Sequence, residues 1–175
     1  MLYHICKVII LLSKLNSKKA GLCLSLLLCL SACNSNNRPA TQGDWIKGTD
    51  EEQVKTIEKQ FRGFDMAMVE TGYRYQELYW AGQDQNWDYA NYQLEKIKLT
   101  VGNGLQRRPK RAKSAEHFLT DALPQMQESV NVKDTSLFNN NFLTLTATCN
   151  SCHTAEKVSF FTVKIPTERQ SPIKK

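Results

Sequence analysis

Cysteines are scarce in most of this sequence, and their scarcity excludes a fold stabilised by several disulfide bonds. Four of the six cysteines lie within the first 33 residues. Only Cys149 and Cys152 remain, and one pair spaced three residues apart gives no disulfide framework. This pair therefore needs a chemical explanation of its own.

Acidic residues are absent from the first 32 residues, which carry four of the 23 lysines and arginines. The rest of the chain has 19 Lys and Arg against 17 Asp and Glu, so its net charge is +2 rather than the +6 of the whole sequence. A nearly neutral chain gives no general electrostatic argument for binding nucleic acid. We therefore expect no nucleic-acid partner.

The N-terminal apolar run is too short to span a bilayer, which takes roughly 20 residues. It covers residues 20–32 and follows a Lys-Lys pair, as in a signal sequence. The run ends in Leu-Ser-Ala-Cys at residues 30–33, which resembles the lipobox of bacterial lipoproteins. The resemblance implies a signal peptide over residues 1–32 and a lipid anchor on Cys33. An ordinary signal peptide, with Cys33 following the cut by chance, is the alternative.

Apolar residues spaced three and four apart predict four amphipathic helices, and no stretch before residue 158 alternates as a strand would. The helices are expected over about residues 49–80, 87–101, 115–130 and 135–152. A polar tether over residues 33–48 precedes them, and an extended tail over residues 158–175 follows. We predict an all-α fold, an antiparallel four-helix bundle over residues 49–157.

Local signals set the helix ends and one bend. Thr49 and Glu52 have the spacing of a capping box at the start of the first helix. Gly102 and Gly104 are expected to end the second helix. Pro124 is expected to kink or split the third, because it lacks a backbone N–H.

The fourth helix, which residues 134–136 cap, carries its apolar stripe into Cys149-Asn150-Ser151-Cys152-His153. C-x-x-C-H is the attachment signature of c-type haem. Two thiols on one helical turn can add to the two haem vinyl groups, and the adjacent histidine can bind the iron as proximal ligand. Thioether formation requires export, which the signal sequence supplies. We predict one covalent haem c on Cys149 and Cys152, with His153 on the iron.

The cysteine pair has three alternative interpretations. A thiol redox motif would follow a strand in a βαβ unit, whereas this one lies late in a helical pattern. A zinc site would need four ligands, and the candidates after the signal sequence are Cys149, Cys152, His153 and His117. Cys152 and His153 are adjacent, which would strain tetrahedral coordination. Two buried structural cysteines are the third alternative.

A C-x-x-C-H signature at the end of a four-helix pattern resembles cytochrome c-prime and its low-spin relatives, over about residues 50–155. The resemblance implies a haem within the bundle and the motif on the last helix. Residues 92–119 and 160–166 also resemble a less characterised group of exported monohaem cytochrome-like proteins. The family's arginine shortly after the haem histidine is missing here, where residues 154–157 are Thr-Ala-Glu-Lys. The resemblance therefore does not imply how many ligands the iron has.

The residue on the distal side of the iron decides between functions. Low-spin relatives take a methionine four residues after an arginine, which implies Met66 after Arg62. Helical periodicity instead favours Met68, because it continues the stripe of Phe61 and Phe64 and lies about 160° around the helix from Met66. Either methionine could also be ordinary core filling.

Further candidates lie on the inferred inward faces and in one loop. Phe61, Phe64 and Phe142 are expected to form apolar walls for the haem. His117 and Met126 are weaker candidates for the distal ligand. The basic residues within 107–111 could pair with haem propionates, dock an acidic partner, contact anionic lipid, or form a solvated loop.

These features predict a membrane-anchored monohaem cytochrome that faces the periplasm and acts as an electron carrier rather than an enzyme. The alternative is a high-spin haem module that binds nitric oxide or carbon monoxide. A peroxidase would need a distal acid or base, and none is persuasively placed. The expected partners are a redox partner protein and, through the lipid anchor, either the inner or the outer membrane. A homodimer is left open.

Overall fold

The computed structural model describes residues 43–170 and 172–173. Within them the secondary structure is helical and includes no strand, which confirms the predicted all-α class. Cys33, the signal peptide and most of the tether lie outside the described residues. The helices are α1 (Asp50–Phe61), α2 (Phe64–Gln83), α3 (Trp87–Arg107), a 3₁₀ turn (Pro109–Arg111), α4 (Ala112–His117), a π-helical turn (Phe118–Ala122), α5 (Leu123–Asn131) and α6 (Thr135–Ala155).

The chain divides into two units, up to Thr56 and from Ile57 onward. In the first unit, the Glu52 carboxylate accepts a 2.7 Å hydrogen bond from the Thr49 N–H, and the Thr49 hydroxyl accepts one of 3.3 Å from the Glu52 N–H. This reciprocal pair is the predicted capping box, and it satisfies donors that a helix start leaves open.

The predicted first helix is broken at Arg62 and Gly63, so that α1 and α2 are separate helices. Arg62 has a positive φ of 59°, a left-handed conformation in which a helix cannot continue. The Asp65 carboxylate stabilises the break by accepting from the Gly63 N–H at 3.0 Å and from the Arg62 guanidinium at 2.5 Å. The break also changes which apolar residues face the interior.

The prediction that Gly102 and Gly104 end the second helix is wrong, because α3 continues to Arg107. Gly104 is buried instead where α3 meets α2. A Cβ atom there would lie 2.8 Å from the Ala67 Cβ and 2.9 Å from the Phe64 ring. The missing side chain therefore allows close approach of the two helices rather than termination.

The third predicted helix is one continuous helical run over residues 112–131, and a π-helical turn interrupts its α-helical geometry. Pro124 is the second residue of α5, and Leu123 before it keeps helical backbone angles, with φ −67° and ψ −45°. The π-helical turn directly precedes it, and such a turn widens the backbone ahead of the proline ring. The predicted disturbance at Pro124 is present, in a form that periodicity does not reveal.

The second unit packs its long helices around one apolar core. α2 contacts α3 and α6, and α5 also contacts α3 and α6. The fully buried large apolar side chains come from all four of these helices, and they are Leu78, Ile97, Met126, Phe138, Phe142 and Leu145. Asp134 caps α6 as predicted, accepting from the Leu137 N–H at 2.8 Å. Among the described residues, no helix is both long enough and apolar enough to cross a membrane.

The C-terminal segment from residue 158 runs without helix or strand and is held at several points. Val163 and Ile165 pack against the core. Farther on, the Arg169 guanidinium makes two hydrogen bonds of 2.6 and 2.5 Å to the Asp84 carboxylate and lies 4.8 Å from the Trp80 ring. This anchored part of the chain is called the tail below.

Two glycines of α2 predict opposite effects of the same substitution. At Gly82 a Cβ atom would lie 2.1 Å from the buried Phe138 ring. Gly82→Ala should therefore destabilise the fold by about 1–3 kcal/mol. At Gly72 a Cβ atom meets nothing within 4 Å, so Gly72→Ala should stabilise α2 by about 0.5–1 kcal/mol. Urea unfolding followed by circular dichroism measures both. Equal unfolding midpoints would contradict the packing described here.

Candidate functional site

A cavity of about 550 Å³ lies beside the last two turns of α6 and has Cys149, Cys152 and His153 in its wall. The two cysteines are one helical turn apart, so their side chains lie on the same side of α6. The opposite parts of the wall come from α2, α3, the helical segment over residues 109–122, and the tail. Its apolar members include Phe64, Met68, Val101, Ala115, Phe118 and Val158.

The size and composition of this cavity fit a haem. Ligand pockets in proteins measure roughly 300–1,000 Å³ and combine apolar walls with a few placed polar groups. Here two thiols, one imidazole and one thioether lie in a wall that is otherwise largely apolar. This donor set suits covalent attachment through sulfur and axial ligation of iron by nitrogen and sulfur.

Both cysteines are free thiols, and burial changes their acidity. Burial, together with the neighbouring Cys152, raises the pKa of Cys149 to about 12. Burial also raises the pKa of Cys152, although a hydrogen bond from Ser114 opposes this change. Both thiols are therefore protonated at neutral pH, whereas thiol–disulfide exchange depends on an accessible thiolate.

His153 is oriented by the tail. Its Nδ1 atom lies 2.5 Å from the backbone carbonyl oxygen of Phe161. A carbonyl oxygen can only accept, so Nδ1 carries the proton and the lone pair of the neutral ring is on Nε2. Nε2 is therefore the nitrogen that this arrangement leaves for a metal ion.

The two candidate methionines line different cavities. Met68 is partly buried and lies in the wall that also holds His153. Met66 is 38% exposed and lines a separate cavity of about 420 Å³ together with Phe61. The structure thus brings Met68, and not Met66, to the cysteine pair.

Of the three phenylalanines expected as haem walls, only Phe64 lines the cavity. Phe61 is 63% exposed, because α1 ends there and the break after it turns the helix face. Phe142 is fully buried in the core, where its ring lies 5.8 Å from that of Phe138 and 4.7 Å from that of Tyr75. The expectation for Phe61 and Phe142 is therefore corrected.

The weaker candidates for the distal ligand also lie elsewhere. His117 is exposed and its Nδ1 atom lies 2.9 Å from the Asp121 carboxylate. Met126 is fully buried in the core. Neither residue belongs to the cavity wall.

Thr71 and Glu156 are wall residues that were not found from the sequence, whereas Arg111 belongs to the basic cluster for which pairing with haem propionates was one expectation. The Thr71 hydroxyl is buried and has no hydrogen-bond partner. Thr71 lies one helical turn after Met68, so helical spacing could have placed it in the same wall. Arg111, from the basic cluster, lines the cavity and pairs with Glu156. Glu156 also accepts a 2.5 Å hydrogen bond from Ser114. These contacts join different elements, so no local pattern indicates them.

Comparisons with family models, with curated proteins and with solved structures found no match to this chain. Among the described residues, no group of three or more His, Cys, Asp or Glu is placed to hold a metal ion. A haem iron needs only axial ligands from the protein, since the porphyrin supplies four nitrogens.

Proposed function

We propose that this chain is an exported, lipid-anchored monohaem c-type cytochrome that works as an electron carrier. The observation that carries the proposal is that Cys149, Cys152, His153 and Met68 lie together in the wall of one largely apolar cavity. The haem would be bound covalently in that cavity, and Cys33 would anchor the chain to the membrane.

The proposed architecture is an antiparallel four-helix bundle made of α2, α3, α5 and α6. Its support is the closed ring of contacts in which α2 and α5 each touch both α3 and α6. Short connections favour opposite directions for consecutive helices, such as the three residues 84–86 between α2 and α3. The cavity then lies at the end of the bundle where α6 ends.

Four residues of the cavity wall would bind the cofactor in this proposal. Cys149 and Cys152 would hold the haem through two thioethers, and His153 and Met68 would bind its iron. The haem, when bound, supplies one-electron exchange between ferrous and ferric iron. A methionine ligand raises the reduction potential and suits electron transfer. The apolar side chains around these residues exclude water.

A second candidate function is the binding of a small gas ligand. It is favoured by the unpartnered, buried hydroxyl of Thr71, which lies in the same wall one helical turn from Met68. If Met68 does not bind the iron, this hydroxyl could donate a hydrogen bond to bound nitric oxide or carbon monoxide. The spin state of the iron separates the two functions.

The test of the proposed function is covalent haem in the full chain, expressed with its own signal in a bacterium that matures c-type cytochromes. We expect haem to stay with the protein through acid–acetone extraction and denaturing electrophoresis. A wild-type chain without covalent haem would refute the proposal.

The same preparation distinguishes the finer parts of the proposal. A low-spin spectrum that carbon monoxide leaves unchanged supports the electron carrier, and a high-spin spectrum with rapid carbon monoxide binding supports the gas-binding function. Recovery in the membrane fraction, lost in Cys33→Ala, supports the lipid anchor, because removing the acyl chains removes most of the membrane affinity.

A further inference from the structure

The tail reverses direction directly after the haem-binding signature. Lys157 has a positive φ of 61°, and the Val158 N–H donates to the His153 carbonyl at 2.8 Å while the Lys157 N–H donates to the Thr154 carbonyl at 3.0 Å. These are the paired bonds of a Schellman motif, with lysine where glycine is usual. The motif turns the chain back along α6 instead of letting it leave the helix.

Asn150, the first residue between the two cysteines, holds the returning chain with both ends of its amide. Its Nδ2 atom donates to the Val163 carbonyl at 2.9 Å, and its Oδ1 atom accepts from the Val163 N–H at 2.8 Å. At the next residue, the Tyr75 hydroxyl donates to the Lys164 carbonyl at 3.2 Å. The tail is therefore fixed by its backbone at two adjacent residues.

The spacing of these contacts brings a carbonyl to His153. Asn150 and His153 are three residues apart on α6, which separates side chains on one helix face by about 5–6 Å. Val163 and Phe161 are two residues apart on an extended chain, or roughly 6.6 Å. Because the two separations match, pairing Val163 with Asn150 places the Phe161 carbonyl opposite His153, where the 2.5 Å contact is found.

We propose that Asn150 is a positioning residue of the haem site: by clamping Val163 it holds the Phe161 carbonyl against Nδ1 of His153 and so fixes the ring as an iron ligand through Nε2. This inference rests on the proposed function. A ligand histidine that donates its second N–H to an acceptor is held in one orientation and becomes more basic. Loss of such a partner lowers metal affinity or activity by about tenfold or more. A more basic ligand stabilises ferric iron, so the clamp lowers the reduction potential.

The test compares Asn150→Ala with Ser151→Ala in the haem-bearing full chain. Ser151 lies beside Asn150 within the same signature but is exposed. Asn150→Ala should shift the equilibrium between ferric and ferrous iron about tenfold toward the ferrous form. For one electron this raises the reduction potential by roughly 59 mV. Ser151→Ala should leave the potential unchanged. In a Met68→Ala background, Asn150→Ala should also lower the frequency of the iron–histidine stretching band in the ferrous Raman spectrum.

Val163→Pro provides a second variant if Asn150→Ala does not mature. It removes the N–H of the same pair, leaves the signature intact, and should raise the potential in the same way. A wild type without covalent haem refutes the proposed function, and the positioning role falls with it. If the wild type carries haem and its potential is the same in Asn150→Ala, Val163→Pro and Ser151→Ala, only the positioning role is refuted.

Discussion

Replacing Cys149 and Cys152 together with alanine should remove all covalent haem from the chain. Each thioether needs a thiol within reach of a haem vinyl group, and these are the only two cysteines among the described residues. Both thiols lie in the wall of the same cavity on one turn of α6. Acid–acetone extraction and haem staining after denaturing electrophoresis should therefore change from full retention to none.

Ser151→Ala is the matched control for this pair, because the residue lies between the cysteines and is exposed. It should keep all of its haem. The helical fold of the double variant should persist in circular dichroism, since the large core side chains of α6 (Phe138, Phe142 and Leu145) are untouched. Covalent haem in the double variant would contradict attachment at these residues.

Met68→Ala should convert a low-spin haem spectrum into a high-spin one and lower the reduction potential. Met68 lies with His153 in the wall of the 550 Å³ cavity, so losing its thioether opens one coordination position of the iron. The thioether favours ferrous iron, which is why its loss lowers the potential. Optical spectroscopy and a redox titration measure both changes.

Met66→Ala is the internal comparison, since Met66 lies two residues away and lines the other cavity. It should leave the spectrum unchanged and alter stability by no more than about 0.5 kcal/mol, as surface substitutions do. If Met66→Ala gives the spectral change instead, the spacing from Arg62 was the better guide to the ligand. A wild type that is already high-spin means that neither methionine binds the iron.

The all-α class and the burial of the α6 stripe could be predicted because both depend on local periodicity. Phe138, Phe142 and Leu145 repeat at helical spacing and are fully buried. The caps at Thr49 and Asp134 were equally predictable, since each uses side chains within three residues of the helix start.

The features that escaped prediction depend on contacts between distant segments. Gly104 resembles a helix terminator until Ala67 and Phe64 are placed against it. Phe61 fits the apolar stripe of α2 only if no break occurs at Arg62, whose positive φ nothing in the sequence requires. The clamp between Asn150 and Val163 joins residues 13 apart across a chain reversal, and no periodic pattern encodes it.

Residues 161–164 of the tail form hydrogen bonds to the helices through their backbone. The Phe161 carbonyl, both peptide groups of Val163 and the Lys164 carbonyl make these hydrogen bonds, while the side chains of Phe160 and Phe161 are exposed. Substitutions other than proline preserve such backbone bonds, whereas inserting or deleting one residue shifts every carbonyl out of register. Over evolution this segment should therefore keep a constant distance from the histidine, and its exposed position 160 should vary more in residue type than Val163, which packs against the core.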